Sequence, residues 1–384
     1  MIRSIEGLRG VAAILVALFH AYGYIRWGGF PAQSKVLQHA WLFVDLFFVI
    51  SGFVMATVYS DRLETPKAAW AYMVRRFYRL YPLHIVTTAM ALLAVIAVQT
   101  AKLVLLNLGI TVGNEPPFSV KFFDLGLLVA ELLMLQGLGI IRMELHNYPS
   151  WSISVEFWLY VLFALMTLVV RSRLVRIVAS AVIVALCVAW FVAYWSYAPV
   201  ELRTLDTRGM PRGMLSFFQG VLLYYLYRRY GRALVRSGAA LGIAQVAAVL
   251  LALWLVARQD VLGSWQLAIP FAFALVVFLI LPDRGVVARL LQTRPMQWLG
   301  VHSYSIYLTH VPVLTVLSWP GQALPEPVKH AVGLLYVASV CVVSILTYRY
   351  IEKPWRDRGK VISDRIERGG SFPRRGDAVS SGSN

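Results

Sequence analysis

Runs of roughly 18 to 22 apolar residues, the length that a ~30 Å hydrocarbon layer demands of a helix, recur along nearly the whole of this chain. With 59% hydrophobic and only 14% charged residues in 384 positions, there is too little polar side chain to clothe a water-soluble globule of this size. The chain reads as a polytopic membrane protein. Inside a bilayer every backbone N–H and C=O has to be paired within the protein, so long apolar runs imply helices and an all-α architecture. Spans are expected near 6–26, 40–60, 81–100, 151–170, 174–195, 210–227, 239–257, 264–282, 298–318 and 330–350. The first run follows Arg3 in the manner of a secretory leader, but Arg9 interrupts it and no small-residue cleavage site ends it cleanly, so it is taken as a retained span.

The formal charge of +17 is distributed in a way that sets orientation. Basic residues crowd into 61–80, 171–176, 228–236, 283–294 and the segment from Lys353 onward, and short loops rich in Lys and Arg mark the cytoplasmic face. With all five inside, about ten transmembrane helices and two cytoplasmic termini follow, and the further apolar run 122–141 has to be re-entrant or interfacial within a long external segment, 101–150. Arg203, Arg208 and Arg212 would lie outside, the one mark against this topology. Basic residues scattered over membrane loops are accounted for by orientation, so no nucleic-acid partner is expected. Residues 1–356 make one transmembrane domain; the Gly-, Ser-, Arg- and Pro-rich end, 357–384, is expected to be a disordered cytoplasmic tail. No internal repeat of the kind that builds many carriers is visible. Cys187 and Cys341 fall mid-span with no His or Cys at ligand spacing, which argues against a disulfide or zinc site.

Ionisable residues at membrane depth are costly and mark function by default. Arg9 and His20 share the first span, ~16 Å apart along a helix axis. Counting along each span at ~1.5 Å per residue brings His20, Asp45, Glu156 and His310 to nearly one level in the outer half of the membrane. Histidine titrates near neutrality, and a carboxylate beside it can orient it and stabilise its charged form, so such a set suits deprotonation of an alcohol. Metal binding and a purely structural hydrogen-bond network are the competing readings. Metal is disfavoured because no ligand pair stands at i, i+4 on one helix. Before the third span, Arg75, Arg76 and Arg79 stand at helical spacing; guanidinium forks match phosphates, although inside-facing charge alone explains basic residues there.

The stretches RSIEGLRGVAAILVALFH, VDLFFVISGFVM, RRFYRLYPLH, WSISVEFWLY, YSIYLTH and IEKPWR, six in order over residues 3–356, resemble the membrane-bound acyltransferase 3 family, bacterial O-acyltransferases of surface polysaccharides, peptidoglycan and some small molecules. The resemblance implies a ten-helix domain that takes an acyl group from cytoplasmic acyl-CoA, acetyl-CoA in the first instance, and delivers it to an external or lipid-linked sugar hydroxyl in the bacterial inner membrane. By that likeness His20 is the catalytic base, with Asp45 or Glu156 orienting it. Arg9 partners the donor or the acyl group and Arg75, Arg76 and Arg79 lie near the donor's phosphates; His310, Tyr307 and Ser152 are candidates for substrate binding or support, with His310 open to bonding the base, binding the sugar or packing alone. Glu156 matches the carboxylate of the family's S-x-x-x-E segment counted from Ser152. Many relatives follow it with a second Glu where this chain has Phe157, which leaves one carboxylate there. The chain looks more like the exopolysaccharide-acetylating branch than the antigen-acetylating one. Some relatives append a periplasmic hydrolase-like domain and this sequence does not, so direct transfer or a separate periplasmic or polysaccharide-assembly partner is expected. A proton-coupled carrier, or acylation of a lipid or a macrolide, stays open at this point.

Overall fold

The computed structural model describes residues 2–25, 33–110, 124–140, 146–197, 209–236, 238–318 and 324–368, and every regular element among them is helical. The longer elements are α1 (Arg3–Ile25), α2 (Phe43–Tyr59), α3 (Pro66–Asn107), α4 (Leu125–Leu132), α5 (Ser150–Val169), α6 (Arg173–Tyr197), α7 (Gly209–Arg236), α8 (Gly238–Ala257), α9 (Ala268–Ile280), α10 (Val286–Leu291), α11 (Arg294–Ser318), α12 (Glu326–Thr347) and α13 (Lys353–Arg368). A π-helical turn, Tyr348–Glu352, joins the last two.

Among the described residues, eight helical stretches are long and apolar enough to cross a membrane: Arg3–Ile25, Ala40–Tyr59, Pro66–Asn107, Ser150–Val169, Arg173–Tyr194, Gly238–Ala257, Gln259–Ile280 and Glu326–Arg368. Their outward faces are greasy, as at Leu186 on α6, Ile243 on α8 and Leu334 on α12, all more than 60% exposed. Such surface is stable against lipid and not against water. Two more helices expected to span, α7 with 28 residues and α11 with 25, are long enough but too polar to meet that measure. Their polar residues, Arg212, Ser216 and Gln219 on α7 and His302, Ser303, Ser305, Thr309 and His310 on α11, are buried. Both helices thus put polar side chains into the interior, beside those of α1, α2, α3 and α5.

Two glycine seams set the distances inside the bundle. In lipid no hydrophobic force drives helices together, and close approach depends on small residues. A Cβ placed on Gly10 of α1 would fall 2.5 Å from the Gly300 nitrogen of α11, and one on Gly300 would collide with the Glu6 carbonyl. Likewise Gly52 of α2 sits against the Phe217 carbonyl of α7, and Gly220 against that of Val49. The contacts also give direction. Gly10 meets Gly300 and, ten residues further along both chains, His20 meets His310, so α1 and α11 are parallel. Asp45 meets Arg212 and Asp61 meets Arg228, so α2 and α7 are parallel too, and the Phe48–Trp151 and Ser51–Tyr160 pairs align α5 with α2.

The described part of 122–141, expected to be re-entrant or interfacial, forms no span, and one expectation changes at the C-terminal end. The part of 122–141 holds only the eight-residue α4, ~12 Å long and too short to cross. It is folded onto α5, where the Met134 carbonyl accepts from Ser154 Oγ at 2.5 Å and Trp158 Nε1 at 2.8 Å. The chain from residue 357, expected to be disordered, instead continues α13 to Arg368; residues 369–384 lie outside the described ones. Helix α13 alternates charge with Ile, Val and Trp, and buries Gly359 and Ser363, Gly359 against Tyr78 of α3. Its Asp364 pairs with Arg75 at 2.5 Å. A local composition rich in charge reads as disorder until a partner surface is known.

A Gly10→Leu replacement is expected to lower the unfolding midpoint of the solubilised protein sharply, with a cost of roughly 3 kcal/mol at the upper end for overpacking. Gly23→Leu, where an added Cβ meets nothing within 4 Å, should leave it near the wild-type value. Equal midpoints for the two variants would refute the seam.

Candidate active site

His20, near the C-terminal end of α1, and His310, on α11, form a direct pair: His310 Nε2 lies 3.2 Å from His20 Nδ1 and the ring centroids are 5.0 Å apart. His310 is fully buried and His20 is 9% exposed. Each ring also meets the backbone of its own helix, His20 Nδ1 at 3.0 Å from the Val16 oxygen and His310 Nδ1 at 2.7 Å from that of Tyr307. Tyr148 closes one side, its ring 5.9 Å from that of His20.

On the other side of Tyr307 opens a cavity of about 100 Å³. Helix α2 supplies one wall through Val44, Phe47, Phe48, Ser51, Val54 and Met55, a stripe at the i, i+3, i+4, i+7 spacing of one helical face. Tyr307 and Ser152 stand at the end nearest the histidines: their hydroxyls are 2.8 Å apart, and the Tyr307 ring is 5.9 Å from that of His310. Arg9, Arg76 and Arg79 also line the cavity. Arg76 lies over three tyrosine rings, Tyr59, Tyr72 and Tyr160, at 5.5 to 5.9 Å, a geometry in which ring quadrupoles stabilise the cation. Arg79 is held by Glu352 at 2.5 Å, and Glu352 in turn accepts from Ser305 at 2.7 Å. Arg9 makes no hydrogen bond or ion pair with a described residue, and the Arg76 Nε and the Tyr72 hydroxyl are buried without a partner among them. Glu156 faces the same space, its Oε1 accepting from Tyr160 at 2.5 Å and Ser51 at 2.7 Å. Three guanidiniums against Glu156 and Glu352 leave the chamber cationic, with donors to spare for an anion.

The expected single layer of two histidines and two carboxylates therefore divides. The histidines meet, Glu156 belongs to the cavity, and Asp45 belongs to neither. The two oxygens of Asp45 are taken by Arg212 at 2.7 and 3.0 Å, and the guanidinium lies over the rings of Trp41 and Trp151, 4.7 and 5.6 Å from their centres. This corrects the expectation that Asp45 orients the base. Arg212 was placed by charge in an external loop, but it starts α7 and is 2% exposed, because a buried carboxylate requires a buried partner. Arg75 is corrected too. One helical step of ~100° from Arg76 turns it out of the cavity, toward Asp364 and Tyr59. Glu352 lies in the IEKPWR stretch, where nothing local marks it as the partner of Arg79. Tyr160, four residues after Glu156, was legible as its helical neighbour, whereas nothing local indicated Ser51 or Tyr59. Among the described residues no three His, Cys, Asp or Glu side chains come close enough to hold a metal ion.

The bundle encloses a polar cavity and a buried histidine pair, and sequence comparison gives the family. The model of the acyltransferase domain matches residues 2–349, so the chain belongs to the acyltransferase 3 family and is a multi-pass acyltransferase of bacterial membranes. It is 30% identical over 363 residues to the protein named membrane-bound transacylase BcsY of Komagataeibacter xylinus, covering 92% of this chain and 83% of that one. It is 23% identical over 375 residues to the peptidoglycan O-acetyltransferase OatA of Listeria monocytogenes and 22% over 395 to OatA of Staphylococcus aureus. Those matches cover 93% and 97% of this chain but only 56% and 60% of the two acetyltransferases. No solved structure matches.

Asp45→Ala should act on stability first, since it strands a buried guanidinium; ~3–5 kcal/mol is expected for breaking such a pair. Asp45→Leu combined with Arg212→Met should recover most of that midpoint in thermal unfolding and restore transfer. A recovered fold with no transfer would return Asp45 to the chemistry.

Proposed function

We propose that this chain transfers an acyl group, acetyl in the first instance, from cytoplasmic acyl-CoA to a hydroxyl of an extracytoplasmic or lipid-linked polysaccharide. The observation that carries the reading is a cavity lined by Arg9, Arg76 and Arg79, bounded at one end by the paired hydroxyls of Tyr307 and Ser152, with the Tyr307 ring 5.9 Å from that of His310 in the buried histidine pair. Arg9, which lines the cavity without a hydrogen bond to a described residue, and Arg76, whose Nε has no partner among them, fit a donor that carries phosphates. A glycan acceptor is supported by the two relatives named for peptidoglycan O-acetylation.

In this reading Arg9, Arg76 and Arg79 bind the donor's phosphates. Tyr59, Tyr72 and Tyr160 hold Arg76, and Glu352 holds Arg79. The apolar wall of α2 screens the pantetheine arm, and the thioester supplies an activated carbonyl. His20, ~16 Å from Arg9 along α1, takes the proton of the acceptor hydroxyl. The hydroxyl oxygen bonds to the acyl carbon as the C–S bond breaks, and the proton returns from His20 to the departing thiolate. Ser152 and Tyr307 are placed to orient the acyl group, and Glu156 counterbalances the arginines.

Ten crossings with both termini cytoplasmic suit this reading. Counting α7 and α11 as spans makes α1 and α11 the first and ninth, and α2, α5 and α7 the second, fourth and sixth. Helices that pack in parallel then cross in the same sense. Arg9 and the basic first half of α3 fall on the cytoplasmic side, and His20 in the outer half.

Purified protein in liposomes should move acyl groups from acyl-CoA to a glycan acceptor. His20→Ala should lower kcat by roughly a thousandfold or more, within the range for loss of a general base, with acyl-CoA still bound. Arg76→Gln and Arg79→Gln should instead raise the KM for acyl-CoA at least tenfold, at ~1.4 kcal/mol for each decade. Wild-type KM in both arginine variants would sink the donor site.

A further inference from the structure

The contacts of the His20–His310 pair place a hydrogen on each Nδ1. A backbone carbonyl only accepts hydrogen bonds, so His310 Nδ1, 2.7 Å from the Tyr307 oxygen, bears hydrogen, and in the neutral ring its Nε2 bears the lone pair. His20 Nδ1 faces two acceptors, the Val16 oxygen at 3.0 Å and that Nε2 at 3.2 Å. A lone pair on His20 Nδ1 would oppose both, whereas a hydrogen there serves both as a shared donor. The Tyr307 carbonyl on α11 and the Val16 carbonyl on α1 thus lead separately to the same assignment. A doubly protonated His310 fails it, because its Nε2–H would require a lone pair on His20 Nδ1, directed also at the Val16 oxygen. It would also place a cation in a fully buried site beside a second imidazole.

From this geometry we infer that His310 is a positioning residue that holds His20 in the Nδ1–H tautomer, so that Nε2 is the nitrogen of His20 that receives the acceptor's proton. The inference rests on the reading of His20 as the base. Isolated imidazole side chains in water favour hydrogen on Nε2, and a His20 in that form would turn a donor toward the hydroxyl it has to deprotonate. The chain Tyr307 carbonyl, His310, His20 has the logic of a triad in which the last group fixes the tautomer of the base. Here a neutral imidazole occupies the place of a carboxylate. As the acceptor O–H bond breaks, its proton joins His20 Nε2. The oxygen pair forms the ester bond while the thioester C–S electrons leave on sulfur. The imidazolium keeps its Nδ1–H directed at the His310 lone pair, which spreads the charge until the Nε2 proton passes to the thiolate. Asp45, expected to do this work, is committed to Arg212.

The tautomer can be read without turnover. With ¹⁵N-labelled histidine in the full chain, which has seven, magic-angle spinning NMR in bilayers distinguishes protonated from unprotonated ring nitrogens. Signals of the pair are assigned by their loss in His20→Gln and His310→Gln. Wild type should show Nδ1 protonated and Nε2 unprotonated in both rings. His310→Ala should release His20 toward the Nε2–H form and lower kcat roughly a hundredfold, as loss of base orientation does, with the KM for acyl-CoA unchanged. His310→Gln, whose carboxamide oxygen accepts from Nδ1–H, should recover at least tenfold of that, by ~1.4 kcal/mol of restored transition-state stabilisation. The inference is overturned by a wild-type His20 protonated on Nε2, by wild-type kcat in His310→Ala, or by His310→Gln no faster than His310→Ala. Because the wild-type spectrum needs no activity, a His20→Ala enzyme that still transfers would remove His20 as base and leave the measured tautomer standing, so the two failures are distinguishable.

Discussion

The closeness of α1 and α11 governs the rest of the interior. Both helices carry glycine where they meet, and both carry a histidine ten residues further on. In a bilayer this contact rests on van der Waals packing and on the hydrogen bonds that closeness permits, since lipid is as apolar as the helix faces themselves. A side chain at either glycine would part the helices, and the imidazoles, joined by a single 3.2 Å contact, would no longer reach each other. Chemistry at one depth is set by backbone sterics at another.

A second buried arrangement does structural work that charge alone disguises. Asp45, Arg212, Trp41 and Trp151 tie α2, α5 and α7 together in a buried cluster, with the ion pair satisfied at both carboxylate oxygens and the guanidinium within 6 Å of both indole rings. Such a pair contributes little net stability compared with apolar packing, but it discriminates strongly against any arrangement that separates its members. It holds the α2 stripe in register with α7, and that stripe is a wall of the cavity. The remaining arginines are divided in the same way. Arg75 is paired with Asp364 of α13 and Arg79 with Glu352, while Arg9 lines the cavity without a hydrogen bond to a described residue.

Polarity is concentrated where hydropathy is weakest. Helices α7 and α11 look least like membrane spans and contribute Arg212 and His310, respectively. A helix surrounded on all sides by protein can carry such residues because each finds a partner, whereas the same groups facing lipid would be too costly. The peripheral helices show the converse, with long apolar faces turned outward and few buried polar atoms.

The sequence by itself determined the membrane class, the helical architecture, the positions of most helices and the residues from which a site had to be drawn, because span length, apolar runs and ionisable residues at depth are local properties. It also determined that His20, Arg9, Glu156 and the RRFYR segment merit notice. Which of these residues meet was decided only by the tertiary structure. Counting along separate helices gives a common depth but no rotation about each axis, and rotation sends Asp45 to Arg212, Arg75 to Asp364 and His20 to His310. Glu352 and Ser51 were silent for the same reason: their partners are hundreds of residues or several helices away. The tautomer of the base was beyond any reading of sequence, since it depends on two carbonyl oxygens and one neighbouring ring brought within hydrogen-bond distance by the glycine seam.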